Sequence, residues 1–127
     1  MRTLIAATLL VVAAPVAFAQ TMHGGVVMVS ATEKGKILTD SHGMTLYTYD
    51  HDKQGMSDCY NECAVSWPPL KAETSAMPKG KFSVIKRKDG TSQWAYNGKP
   101  LYLWAGDKKP GETSGDGVGG VWHIAVE

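Results

Sequence analysis

The chain reads as an all-β protein, a small antiparallel barrel or sandwich built from two tandem repeats. Three observations predict this. Short β-prone runs alternate with turn residues, no amphipathic helical stretch of a dozen residues occurs, and an offset of 55 residues aligns the chain with itself. That offset pairs Gly35 with Gly90, Gly43 with Gly98, Leu46 with Leu101 and Tyr47 with Tyr102 without a gap. It also pairs Asp52 with Asp107, Lys53 with Lys108 and Trp67 with Trp122. Agreement at aromatic and turn positions in a single register indicates duplication, with repeat one at about 33–72 and repeat two at about 88–127.

At the N-terminus, residues 1–19 have the grammar of an export signal. A short segment holding Arg2 precedes an uncharged run to Val16, and Ala17-Phe18-Ala19 offers the small side chains that a signal peptidase accepts. The run is too short for a ~30 Å hydrocarbon core, so a cleaved peptide is expected rather than an anchor. The expected mature chain starts at Gln20 and forms a single β-rich domain, 20–127, in the periplasm or outside the cell.

Val26-Val27-Met28-Val29 then reads as a first strand, and Val121 to Val126 as a last one, together closing the sheet system. Lys36 to Asp40 and Met44 to Tyr49 flank Ser41-His42-Gly43 as a hairpin. Residues 57–66 can hold a turn or two of helix around the two cysteines. Residues 81–104 read as a three-stranded meander, in which Asn97-Gly98 supplies the positive φ of a tight turn and Pro100 opens its strand or faces an edge. Asp107 to Gly120, rich in Gly, Lys and Asp, is expected to be a long surface loop.

Charge excludes some partners. Lys and Arg total 13 against 12 Asp and Glu. Without Arg2 the two signs balance, so nothing attracts nucleic acid or an anionic membrane over long range. The remaining ~108 residues make one modest core that buries roughly 65% of its unfolded surface, and a staple would help it. Cys59 and Cys63 are the only cysteines. Export places them in an oxidising compartment, and helical i, i+4 spacing brings Cα atoms within ~6 Å, so a structural disulfide is expected.

Tyr47-Thr48-Tyr49-Asp50-His51-Asp52 and Tyr102-Leu103-Trp104-Ala105-Gly106-Asp107 share the pattern Tyr-x-aromatic-x-x-Asp. With Cys59-x3-Cys63-x3-Trp67-Pro68-Pro69-Leu70 and Gly119-Gly120-Val121-Trp122, the chain resembles a bacterial secreted-repeat family of unknown function, described as predicted lipoproteins with a Tyr-x-(Phe/Trp/Tyr)-x-x-Asp motif. The resemblance spans about 35–127 and implies export and a repeated architecture. No lipidation cysteine follows the apolar run, so no membrane anchor is expected after signal cleavage.

Alternation places Tyr47 with Tyr49, and Tyr102 with Trp104, on one strand face, and sets Asp52 and Asp107 just past the strand ends. The structural reading makes the rings core and the carboxylates turn-fixing acceptors of backbone N–H groups. Trp67 and Trp122 join the same structural set. The functional reading is an exposed aromatic platform for a glycan or a cofactor ring.

Metal chemistry is weighed on spacing. Cys59-x3-Cys63 has a spacing that some copper-handling proteins use, and Met56 is a nearby soft donor. Where a binuclear copper site needs His this chain has Trp67, and where copper chaperones have Pro it has Ala64. His23, with Met22 and Met28, sits fourth after the expected cleavage, not third as a terminal amine-and-His site requires. Asp50 to Gly55 begins like a calcium loop, but Asn61 replaces its closing Glu and repeat two has Ala105 for Asp50. Haem-attachment, phosphate-loop and thioredoxin-like patterns are absent, and His42, His51 and His123 do not recur at the offset. No catalytic residue and no resident cofactor is expected. The sequence therefore points to a non-catalytic periplasmic or secreted interaction module that meets an envelope protein or a small ligand. A copper- or redox-handling accessory role for Cys59 and Cys63 is the alternative.

Overall fold

In a computed structural model that describes residues 22–23 and 26–127, the regular elements are mostly strands, with one short α-helix. The export signal and the start at Gln20 lie outside the described residues. The elements are β1 (Met22–His23), β2 (Val27–Thr32), β3 (Gly35–Asp40), β4 (Tyr47–Tyr49), α1 (Glu62–Ser66), β5 (Phe82–Lys86), β6 (Ser92–Tyr96), β7 (Lys99–Pro100), a 3-10 turn (Val118–Gly120) and β8 (Trp122–Ile124). They form three antiparallel sheets, ordered β1-β2-β3, β4-β8 and β5-β6-β7. Bridges join the sheets without closing them into a barrel, and the packing is sandwich-like.

Turn chemistry sets the strand ends. Asp40 Oδ1 accepts the N–H groups of His42 and Met44, both at 2.9 Å, and fixes the turn that reverses the chain at Gly43. Asn97 (φ 50°) and Gly98 (φ 77°) both occupy the left-handed region that a two-residue hairpin requires. Gln54 Nε2 donates to the Asn97 carbonyl at 2.9 Å, and the Gly55 N–H donates to the Gly98 carbonyl at 2.7 Å. A turn of repeat one is thereby seated on the hairpin of repeat two.

The repeats are interlocked rather than laid side by side. The last segment of each pairs with strands of the other. Residues 68–72 pair with β6 and its neighbours through Leu70 N–H to Leu101 O (2.9 Å), Trp94 N–H to Leu70 O (2.9 Å) and Ala72 N–H to Ser92 O (3.0 Å). Residues 122–127 do the same to repeat one through β4-β8, Leu38 N–H to Ala125 O (2.9 Å) and Ala125 N–H to Leu46 O (2.8 Å). The first and last apolar runs are thus both strands, but they are not paired with each other; β2 and the chain end each pair with β3.

The 55-residue offset is not uniform in three dimensions. Val27 pairs with Asp40, whereas its counterpart Phe82 pairs with Tyr96 rather than Ala95. Counted from the last paired residues, the turn between Arg87 and Thr91 is one residue longer than that between Thr32 and Gly35, and the turn between Tyr96 and Lys99 is one residue shorter than that between Asp40 and Met44. Two opposite changes in turn length cancel, which leaves the sequence register gap-free.

Two clusters make the core. One is largely aliphatic, with Val27, Leu38, Leu46, Leu70, Phe82 and Leu101 among its members. The other is aromatic, built from Tyr47, Trp67, Tyr102 and Trp122 with Cys59. Both draw on equivalent positions of the two repeats, so each repeat supplies half of a core that neither completes alone.

Candidate functional site

The aromatic cluster gathers every residue of the duplicated motif. Tyr47 and Tyr102 face each other across an antiparallel bridge and exchange both backbone bonds, at 2.8 and 3.0 Å. Trp67 and Trp122 lie parallel, with ring centroids 3.8 Å apart and planes 3° off. Tyr49 stacks on Trp122 at 4.2 Å, and Trp104 lies against Trp67 at 4.2 Å with its plane tilted by 30°. The result is a continuous ladder Tyr49–Trp122–Trp67–Trp104 with a near-two-fold relation between its halves. Tyr47 meets Trp67 edge-on at 5.4 Å, and Tyr102 meets Trp122 edge-on at 5.2 Å. Offset stacks and edge contacts of this kind satisfy the ring quadrupoles.

The carboxylates are crossed between repeats. Tyr47 Oη donates to Asp107 Oδ2 at 2.7 Å, and Tyr102 Oη donates to Asp52 Oδ2 at 2.6 Å. Each Asp also holds its own loop. Asp52 Oδ1 accepts the Asp58 N–H at 2.7 Å, and Asp107 Oδ1 accepts from Ser114 N–H (3.0 Å) and Ser114 Oγ (2.6 Å). Burial foremost, then the bond to the carboxylate, pushes both phenols well above the ordinary tyrosine value, so they stay protonated as donors. Burial also raises the Asp52 carboxyl, partly offset by the bonds from Tyr102 and the Asp58 N–H.

Around Tyr102 the network continues into residues that motif reading passed over. With Tyr102 donating to Asp52, Ser57 Oγ donates to the phenol oxygen at 2.6 Å and in turn accepts from Arg87 Nη1 at 2.9 Å. Arg87 is buried, and donates also to Gln93 Oε1 (2.7 Å) and the Cys59 carbonyl (2.6 Å), while its guanidinium lies 4.4 Å from the Tyr60 ring centroid. Between Lys86 and Lys88 it looks like one more surface cation. Its backbone pairs with Thr91 just past β5, two residues beyond buried Ile85, and that alternation is the faint local trace of its inward turn.

Cys59 and Cys63 form a disulfide with a Cα–Cα distance of 5.3 Å, Cys59 buried and Cys63 half-buried within α1. Met56 is exposed. Asp50 Oδ2 pairs with His123 Nε2 at 2.8 Å on the surface, His51 sits edge-on to Tyr49 at 5.1 Å, and His42 is exposed. Among the described residues no three His, Cys, Asp or Glu side chains converge as a metal site.

The segment 107–120 is a mostly exposed surface loop, as expected, with two residues that are not. Asp107 and Gly115 are buried, because the loop folds over the ladder. A Cβ at Gly115 would lie 2.8 Å from Trp67, 2.9 Å from Tyr47 and 3.0 Å from Trp104, so only glycine lets this backbone close the cluster. Its N–H donates to Tyr47 Oη at 3.2 Å. No helix among the described residues is long and apolar enough to cross a membrane.

Neither a curated protein nor a solved structure matches this chain. A family model does so twice, over residues 28–71 and 83–126, which contain the crossed tyrosines, both aspartates and all four ladder rings. The chain therefore belongs to the Lipoprotein_15 family, described as secreted repeats of unknown function.

Proposed function

We propose that this protein is a non-catalytic interaction module of the periplasm or the secreted fraction, a rigid β scaffold that meets an envelope partner or small ligand through its outer loops. The internal use of the duplicated motif supports this reading. Both phenols, both carboxylates and the stacked rings are engaged with one another, so the motif acts as a clasp between repeats. Outside the clasp, repeat one carries the exposed apolar side chains Met56 and Val65 on either side of the disulfide. A photoreactive amino acid placed at 56 in the exporting host is expected to give one discrete adduct, lost on Val65→Asp. Turnover of a substrate by the purified protein would overturn the reading.

A copper- or redox-handling role for Cys59 and Cys63, with Met56, is the second reading. Its support is the short loop and the half-buried Cys63, which a reductant can reach to release two thiols. Intact mass after thiol blocking, with and without prior reduction, measures the oxidised fraction. Retention of copper through dialysis by the reduced protein, abolished in Cys59→Ala, would favour this role over the first.

A further inference from the structure

The ladder runs between two clefts. Tyr49, at one end, is half-buried and lines a cleft of about 270 Å3 together with Asp52, Lys53 and Lys99. Trp104, at the other, is half-buried and lines a cleft of about 200 Å3 with Met44, Pro68 and Asp107. Between them Trp122 and Trp67 are buried, and no centroid step along the ladder exceeds 4.2 Å. Each cleft thus presents a terminal ring and the carboxylate that accepts a buried phenol's hydrogen bond.

These features carry chemistry that a packing role does not need. Indole and phenol are the side chains most readily oxidised by one electron without bond cleavage, and stacked rings pass such a vacancy by short steps. A buried phenol loses an electron easily only if its proton has somewhere to go, and a base must stand within hydrogen-bond reach. Asp107 and Asp52 stand at 2.7 and 2.6 Å from the two phenol oxygens. Around Tyr102 the donors run in one direction, from Arg87 through Ser57 to the phenol, so the Tyr102 proton can move only toward Asp52.

We infer that the ladder Tyr49–Trp122–Trp67–Trp104, with the pairs Tyr47–Asp107 and Tyr102–Asp52, is a one-electron relay that lets a one-electron oxidant docked in either cleft draw an electron from a buried tyrosine. The oxidant gains one electron from the terminal ring, and the vacancy passes inward through the tryptophans. The phenol then gives an electron to the ring it touches edge-on and its proton to the paired carboxylate. The products are a neutral tyrosyl radical, a protonated Asp and the reduced oxidant, with no bond formed or broken except O–H. Burial and the carboxylate bond keep both phenols protonated before oxidation, so the proton does not leave ahead of the electron. This inference is independent of the interaction role proposed above.

Flash-generated tris(bipyridine)ruthenium(III), a one-electron oxidant, tests it on the mature oxidised protein. The expected trace shows a tryptophan radical giving way to a tyrosyl radical, with the second phase slowed in D2O. In a Tyr49→Phe background, which removes the phenol at the ladder's own end, the tyrosyl signal is expected to vanish in the double variant Tyr47→Phe/Tyr102→Phe, leaving a persistent tryptophan radical, and to survive in Tyr60→Phe. Retention of the tyrosyl signal in the double variant, or its loss in Tyr60→Phe, would overturn the relay. Should the double variant not fold, the wild-type trace decides: a tyrosyl phase with no D2O slowing also overturns it.

Discussion

Tyr47 and Tyr102 exchange both backbone hydrogen bonds with each other, and each sends its hydroxyl to the aspartate that follows the other in sequence. The motif aspartate of one repeat is therefore the acceptor for the other repeat's tyrosine. One consequence is that the halves cannot separate without stranding two buried phenols and two carboxylates.

Replacing either tyrosine by phenylalanine keeps the ring and removes only the hydroxyl. Hydrogen bonds to a charged partner contribute about 1.5–3 kcal/mol. Tyr47→Phe and Tyr102→Phe should each lower the unfolding free energy by about that amount in urea titrations, with the denaturant slope unchanged. Equal stability of variant and parent would show that the clasp contributes nothing.

A Cβ at Gly115 would run into Trp67, Tyr47 and Trp104 at once. Overpacking a filled core costs about 1–3 kcal/mol. Gly115→Ala should lose about that much stability and alter the near-ultraviolet circular dichroism, which reports the Trp67–Trp122 stack. An unchanged spectrum would mean that the loop does not press on the rings.

Arg87 holds Ser57, Gln93 and the Cys59 carbonyl with one planar fork. Lysine keeps the charge but not the geometry, so Arg87→Lys should cost about 1–3 kcal/mol, the penalty for buried acceptors left without a donor. Its disulfide should also reduce faster under a fixed dithiothreitol concentration, since the Cys59 carbonyl loses its anchor. Parent-like stability and reduction rate together would refute the clamp.

The Asp52 carboxyl, raised by burial, gives a pH signature. Between the unfolded carboxylate value, near 4, and the raised folded value, the native state holds a proton that the unfolded chain has released. Its contribution is thus fully present at low pH, falls as pH rises through that window and is flat above it. Asp52→Asn should remove this slope from a plot of unfolding free energy against pH. Exposed Asp89, its carboxyl lowered by the Thr91 hydroxyl and N–H, has the opposite sign, favouring the fold above the unfolded value.

Much of the local structure was legible in the chain. Asn97-Gly98 specifies a hairpin because both residues tolerate positive φ, and the runs 82–86 and 92–96 read as strands from their β-branched and aromatic content. The i, i+4 cysteines are close enough to bridge wherever the chain turns helically. The duplication is visible because glycines and aromatics at turns and core positions leave an imprint in single-letter order. These features depend on backbone torsions and side-chain shape within a few residues, which sequence encodes directly.

Partnership across repeats is of another kind. That Tyr47 reaches Asp107 rather than Asp52 depends on the terminal segments 68–72 and 122–127 crossing between halves, and hydrogen-bond pairing over some sixty residues leaves no periodicity to read. Arg87 turned inward and Gly115 closed over the rings for the same reason, since burial is set by what packs on top. The gap-free offset concealed two compensating turn lengths, because an alignment counts residues while a sheet counts hydrogen-bonded pairs. Sequence alone determined that this protein is two copies of one β-rich repeat. Only the tertiary structure decided that each copy is completed by the other, because a strand's edge and a buried phenol accept whichever partner the packed chain brings within reach.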